Sequence, residues 1–198
     1  MGKIFYVMGK SSSGKDTIYK QLRERDKALR TVVPYTTRPI REGETEGVEY
    51  FFVDKDKLAR MREGRQIIEE RSYNTKCGVW TYFTADDGQI DLEKYDYLMI
   101  GTLVSFMAVR DYFGADRVCP IYIDLDDGER LQRALNRERA QEEPKYEEMC
   151  RRFLADAEDF SEEKIREAGI EERFYNGDLE ECLGRIKAYI LKEISENA

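Results

Sequence analysis

The sequence contains no histidine. That absence removes Ser-His-Asp and Cys-His nucleophile systems, His-ligated zinc and imidazole acid–base catalysis together. Cysteine is sparse: Cys77, Cys119, Cys150 and Cys182 lie far apart and form no Cys-x-x-Cys pair, so they are expected to be reduced, mostly buried thiols rather than zinc ligands. No run approaches the roughly 18 apolar residues of a membrane-spanning helix. The apolar stretch Ile4 to Met8 is too short for a secretory leader, and Val7 stands where an acylation motif prefers Ser or Thr. A cytoplasmic protein without a membrane partner is the expectation. Basic residues are in deficit, 33 Lys and Arg against 41 Asp and Glu for a formal charge of -8, which disfavours sequence-independent nucleic-acid binding.

What is present suits one globular core. The chain has 198 residues, 41% of them apolar and 37% charged, against about 25% charged in an ordinary domain. Strands alternate with helices. Ile4 to Met8, Tyr97 to Ile100 and Val118 to Ile123 read as strands of a parallel sheet, with helical patterns between them. A last helix is marked by Leu179, Leu183, Ile186, Ile190 and Ile194 at spacings of three or four. Between residues 34 and 84 the texture turns to short β-rich runs, Val48 to Val53, Gln66 to Glu70 and Val79 to Thr84, which predict a small inserted lobe. Residues 138–163 carry ten acidic and four basic side chains, with Pro144 dividing the helical pattern, and read as a flap. The division is therefore a core of residues 1–33, 85–137 and 164–198, a lobe of residues 34–84 and a lid of residues 138–163. The sequence sets no oligomeric state.

Directly after the first strand stands Gly9-Lys10-Ser11-Ser12-Ser13-Gly14-Lys15-Asp16-Thr17, which fits Gly-x-x-x-x-Gly-Lys. Two glycines permit a tight backbone path, so that the loop N–H groups and the following helix N-terminus converge on phosphate oxygens while Lys15 adds a full positive charge. Ser11, Ser12 and Ser13 belong to that cradle. Where such loops usually carry Ser or Thr as a Mg²⁺ ligand, this one has Asp16, with Thr17 next. Asp16 through water and Thr17 directly are both candidates, and residues 9–41 are locally basic.

A second stretch, Thr36-Thr37-Arg38-Pro39-Ile40-Arg41-Glu42-Gly43-Glu44-Thr45-Glu46-Gly47-Val48-Glu49-Tyr50-Phe51-Phe52-Val53, closely resembles the acceptor-binding segment of guanylate kinases. Two arginines on a Gly/Pro-restrained loop suit a bidentate clamp on a dianionic phosphate, and a tyrosine hydroxyl adds a donor. The resemblance gives those roles to Arg38, Arg41 and Tyr50, with Glu44 fixing the arginine geometry. It implies a P-loop nucleoside triphosphate hydrolase-like α/β core. The implied reaction moves the γ-phosphoryl of ATP, with Mg²⁺, to GMP.

The same resemblance makes Glu69, after Ile67-Ile68, the reader of guanine N1–H and N2. It brings Arg152, at the head of Arg152-Phe153-Leu154-Ala155-Asp156-Ala157-Glu158, to the transferred phosphoryl, with Arg137 or Arg139 as the earlier lid arginine. Asn176, in Asn176-Gly177-Asp178-Leu179, is either a contact to the donor base or part of a capping turn. Three positions depart from the family pattern: Pro34 and the Cys77-Gly78-Val79 triplet lose hydroxyls, and Ile100-Gly101-Thr102 loses a carboxylate pair. Those losses weaken guanine discrimination. They keep open another acceptor, a phosphorylated sugar or an unusual nucleotide, with Asp124 as base where the acceptor atom is an alcohol. The resemblance also leaves a third reading, a non-catalytic module that holds phospho-ligands. A phosphate acceptor is already ionised near neutral pH, so the missing histidine is no obstacle to the first reading.

Overall fold

The computed structural model describes residues 1–75 and 78–196. Its centre is β1 (Ile4–Met8), an uninterrupted apolar strand with every residue buried, as a parallel strand covered on both faces requires. β1 pairs in parallel with β7 (Tyr97–Gly101) and with β8 (Val118–Asp124). β2 (Arg30–Thr31) extends the sheet beyond β7, and β9 (Arg173–Tyr175) beyond β8, giving the five-stranded order β2-β7-β1-β8-β9.

Alternation along β1 divides the core between two layers. Ile4, Tyr6 and Met8 face Leu103, Phe106 and Val109 of α3 (Leu103–Phe113), together with Phe160, Ile165 and Ala168 around α6 (Glu162–Glu167). Phe5 and Val7 face Ile18 and Leu22 of α1 (Lys15–Arg25) and Cys182, Leu183, Ile186 and Ile190 of α7 (Leu179–Ser195). The expected stripe of the last helix is thus the packed one, with Leu179 and Ile194 half-buried at its ends. Burying each large aliphatic side chain there contributes roughly 1.5–3 kcal/mol. Ile186→Ala, at a position with no exposed surface, would cost about 2–5 kcal/mol.

A second, four-stranded sheet has the order β4-β3-β6-β5, where β3 is Tyr35–Thr36, β4 Phe51–Phe52, β5 Ile67–Thr75 and β6 Gly78–Ala85. β5 and β6 form an antiparallel hairpin longer than the expected runs. The Val48 to Val53 run yields only the two residues of β4, because Gly47 (φ +76) turns the chain and its N–H bonds the Tyr50 carbonyl at 2.9 Å. This lobe also holds a helix the β-rich reading missed, α2 (Lys55–Glu63), capped by the Asp54 side chain, which accepts from the Lys57 N–H at 2.6 Å. α4 (Asp127–Arg139) and α5 (Tyr146–Asp159) flank Pro144 as expected. Among the described residues, no helix is long and apolar enough to cross a membrane. Cys119 and Cys182 are buried and Cys150 is exposed, while Cys77 lies outside the described residues.

Candidate active site

The loop between β1 and α1 is shaped by what its glycines touch. A Cβ on Gly9 would meet the Ile123 carbonyl at 2.5 Å, and one on Gly14 (φ +92) the Asn176 Nδ2 at 2.2 Å. Ser12 also has a left-handed backbone, at φ 64, a conformation that costs a non-glycine residue about 1–3 kcal/mol and clusters at ligand sites. The Ser12 and Ser13 hydroxyls are buried without a hydrogen-bond partner among the described residues. Buried orphans of this kind call for a polar ligand, and on a strand–loop–helix turn an anion fits them.

Asn176 is 4% exposed and donates its side-chain N–H to the Ser13 carbonyl at 2.7 Å. Neither earlier reading of it describes that bond. The cap of α7 is Asp178, which accepts from the Glu181 N–H at 2.9 Å, so Asn176 braces the loop from below.

Lys15 Nζ lies 3.2 Å from Asp16 Oδ2, and both side chains line a cavity of about 1290 Å³. Thr17 is exposed and outside that lining. Of the two Mg²⁺ candidates, Asp16 therefore offers a carboxylate oxygen on the cavity side, the donor type a hard cation takes.

Across the cavity stand Arg41, Tyr50, Trp80 and Tyr82. The Arg41 guanidinium lies 5.9 Å from the Trp80 ring centroid. Burial pushes the Tyr50 phenol up, so it stays protonated and able to donate at neutral pH. Arg38 differs from expectation, since it is 4% exposed and does not line the cavity. Glu44 accepts from Arg38 Nη2 at 2.5 Å and Nη1 at 2.7 Å, and from the Arg41 N–H at 2.8 Å. The bond with Arg38 holds the Glu44 carboxyl below its usual range. Glu44 thus holds both the Arg38 guanidinium and the Arg41 backbone, and of these two arginines Arg41 is the one that lines the cavity.

Glu69 also departs from its expected role. Its carboxylate is buried, accepting from Arg71 Nε at 2.9 Å, Arg71 Nη2 at 3.2 Å and the Thr84 hydroxyl at 2.9 Å, and it does not line the cavity. Arg71 does line it. Residues two apart on β5 share a face, which sets Arg71 beside Glu69 and within reach of its carboxylate.

On the opposite rim, Arg152 lines the cavity with its Nε bonded to Glu148 at 2.8 Å. Arg137 and Arg152 share a crevice with Ser11 and Ser12. Arg139, at the end of α4, is exposed and lines neither space, whereas Arg137 lies beside the loop. Two further arginines were missed. Arg130, 1% exposed, donates to the Ser11 carbonyl at 3.0 Å and to Asp156 at 2.9 Å. Arg133 donates to the Asn176 carbonyl at 3.0 Å. Their spacing with Arg137, three and four along α4, was the available signal.

The chain is similar to known proteins in part of its sequence and in its fold. Residues 1–79 match the sequence profile described as guanylate kinase. The matched residues are less than half of the chain. The guanylate kinase of Frankia casuarinae is 45% identical over 67 residues, 34% of this chain and 36% of that protein. That of Agrobacterium fabrum is 40% identical over 68 residues, 34% and 31% of the two chains. The matched stretch therefore spans about a third of the length of these curated relatives. The fold extends the likeness: a crystal structure of guanylate kinase from Anaplasma phagocytophilum superposes with a TM-score of 0.64 over 97% of this chain and 86% of that one, at 21% identity. Pro34 and Thr102 line the cavity, as do Tyr73 and Asn74. Val79 is exposed, and the Thr81 hydroxyl lies 2.9 Å from that of Ser72. Asp124 ends β8 with its carboxylate 3.7 Å from Arg173, outside the cavity lining.

Proposed function

We propose that the protein is a nucleoside monophosphate kinase that moves the γ-phosphoryl group of ATP to GMP, giving ADP and GDP. One observation carries the reading: a single cavity is lined by Lys15 and Asp16 on one wall, Arg41 and Tyr50 on another, and Arg152 on the rim. In this reading residues 34–84 are the acceptor lobe and residues 138–163 the lid. Phosphoryl transfer asks the protein chiefly for alignment and charge stabilisation.

Lys15 and the loop from Gly9 to Gly14, with Ser11, Ser12 and Ser13, hold the donor phosphates, while Arg41 and Tyr50 hold the acceptor phosphate. Arg38 with Glu44 supports the Arg41 backbone. Arg152 and Arg137 neutralise charge from the lid, and lid closure excludes water. Asp16 would offer an oxygen toward Mg²⁺, which when bound would neutralise phosphate charge.

The test is a coupled ADP assay with ATP and Mg²⁺, offered GMP, AMP, CMP, UMP or ribose 1,5-bisphosphate in turn. GMP-dependent ADP formation is the expected result. Turnover on the sugar bisphosphate alone, or phosphopeptide binding without ATP binding, would replace the reading.

A further inference from the structure

The buried pair of Glu69 and Arg71 changes what the acceptor cavity can recognise. Guanine presents donors at N1 and N2 and acceptors at O6 and N7. A carboxylate reads the donor edge, but both Glu69 oxygens already accept hydrogen bonds from Arg71 and Thr84, and the carboxylate is shut off from the cavity. Arg71 stands in its place on the wall. Its guanidinium is immobilised by Glu69 on one side and by the Thr102 hydroxyl, at 3.1 Å, on the other. Three of the five N–H groups of an arginine are engaged in this way, and the remaining two are free for a ligand.

We propose, on the basis of the kinase reading above, that Arg71 is the base-reading residue and that the acceptors are 6-oxopurine nucleoside monophosphates, recognised at O6 and N7. A planar guanidinium matches two adjacent acceptors in the plane of a base. Adenine sets an amino donor against it, so AMP is refused. Hypoxanthine carries the same O6 and N7 as guanine and lacks only the 2-amino group, which nothing in this pair reads. IMP is therefore as good an acceptor as GMP.

A second phosphate at this end, as in a sugar bisphosphate, fits less well. Glu69 neutralises the arginine it holds, leaving little net positive charge to attract a dianion. The surrounding surface also suits a flat base, since Tyr6, Tyr73, Trp80 and Tyr82 line the cavity. In this arrangement Glu69 and Thr102 are positioning residues that act through Arg71.

The experiment measures kcat/KM of the unaltered protein for GMP, IMP, AMP and 7-deaza-GMP at saturating ATP and Mg²⁺. The expected result is IMP within about threefold of GMP, and AMP at least about 100-fold poorer, because a mismatched polar group is penalised far more than a missing unread one. Loss of N7 in 7-deaza-GMP should lower kcat/KM about tenfold or more, as removal of one partner of a charge-assisted bond does. Arg71→Met should then uncover Glu69 and turn the preference toward GMP over IMP by at least about tenfold. IMP at least about 100-fold poorer than GMP in the unaltered protein, with 7-deaza-GMP unimpaired, would return base reading to the donor edge and overturn this inference while leaving the kinase intact. Silence with every nucleotide would remove the kinase reading itself.

Discussion

Asp156 Oδ2 accepts from the Ser11 backbone N–H at 2.8 Å, while Arg130, bonded to the same carboxylate at 2.9 Å, donates to the Ser11 carbonyl at 3.0 Å. One ion pair from the lid helix and its neighbour thus grips both polar groups of a single loop residue. Asp156→Ala leaves the almost wholly buried Arg130 with Asp127, at 2.5 Å, as its one charge partner among the described residues. A loss of about 3–5 kcal/mol is expected for breaking such a pair. Arg130→Met combined with Asp156→Leu should cost clearly less than the two single losses added together. Urea denaturation of the unaltered protein, Arg130→Met, Asp156→Leu and the double measures the difference, and strict additivity would mean that the pair does not act as a unit.

Lys15 is half-buried at the cavity wall beside Asp16, on the first turn of α1. Its charge contributes little to packing. Lys15→Ala should leave the thermal midpoint almost unchanged and lower kcat by roughly 10²–10³-fold or more, the range for removing one preorganised charge donor. Near-normal turnover in the coupled assay would contradict the assignment of the donor site.

The core and the loop were legible because their signals are local. An unbroken apolar strand, a Gly-x-x-x-x-Gly-Lys turn and a three-four stripe on the last helix each specify backbone without help from distant residues. The side-chain partners were not legible, since they join residues far apart in sequence. Glu44 taking Arg38 out of the cavity, Arg71 covering Glu69 and Asn176 bracing Ser13 all depend on pairings that only the folded chain makes. Short strands such as β2, β3 and β9 were missed for the same reason: two or three residues carry no period, and their partners in the sheet define them.

Arg41 stands on the acceptor wall, away from the Gly9–Gly14 loop, with its backbone held by Glu44 and its guanidinium over Trp80. Removing it should act on one substrate. Arg41→Ala is expected to raise the KM for the nucleotide acceptor by about 10–100-fold, as loss of a charge-assisted bond to phosphate does, with the KM for ATP moving less than about threefold. Equal losses for both substrates, measured by initial rates at varied ATP and acceptor, would contradict separate sites.

Glu148 contributes acid sensitivity to α5. Hydrogen bonds from Arg151 and then Arg152 lower its carboxyl from the ordinary 4.5 to about 2. A carboxyl lowered in the folded state contributes stability that is present above pH 4.5 and lost as the pH falls toward about 2. Glu148→Gln should therefore narrow the difference between the urea midpoints at pH 5 and pH 3, by an amount kept small because the group is partly exposed to solvent. An unchanged acid limb would show that the arginine bonds persist without the charge.

Asn176 tests whether the loop is held from below or is rigid by itself. Its amide donates to the Ser13 carbonyl at 2.7 Å, and its Nδ2 would lie 2.2 Å from a Cβ on Gly14, so the asparagine and the glycine fit one another. Asn176→Ala opens a small space and leaves the Ser13 carbonyl without that donor, at a cost of about 1–3 kcal/mol for an unsatisfied buried group. The loop then has more freedom to leave its left-handed turns at Ser12 and Gly14, and the ordering it loses must be recovered when phosphate binds. The KM for ATP should rise by roughly tenfold while the acceptor KM stays within about twofold, the reverse of the pattern expected for Arg41→Ala. If titration calorimetry instead gave unaltered ATP affinity, the loop would be self-supporting, its turns fixed by the Lys10 to Ser13 hydrogen bond, at 3.2 Å, and by the packing of Gly9 against Ile123.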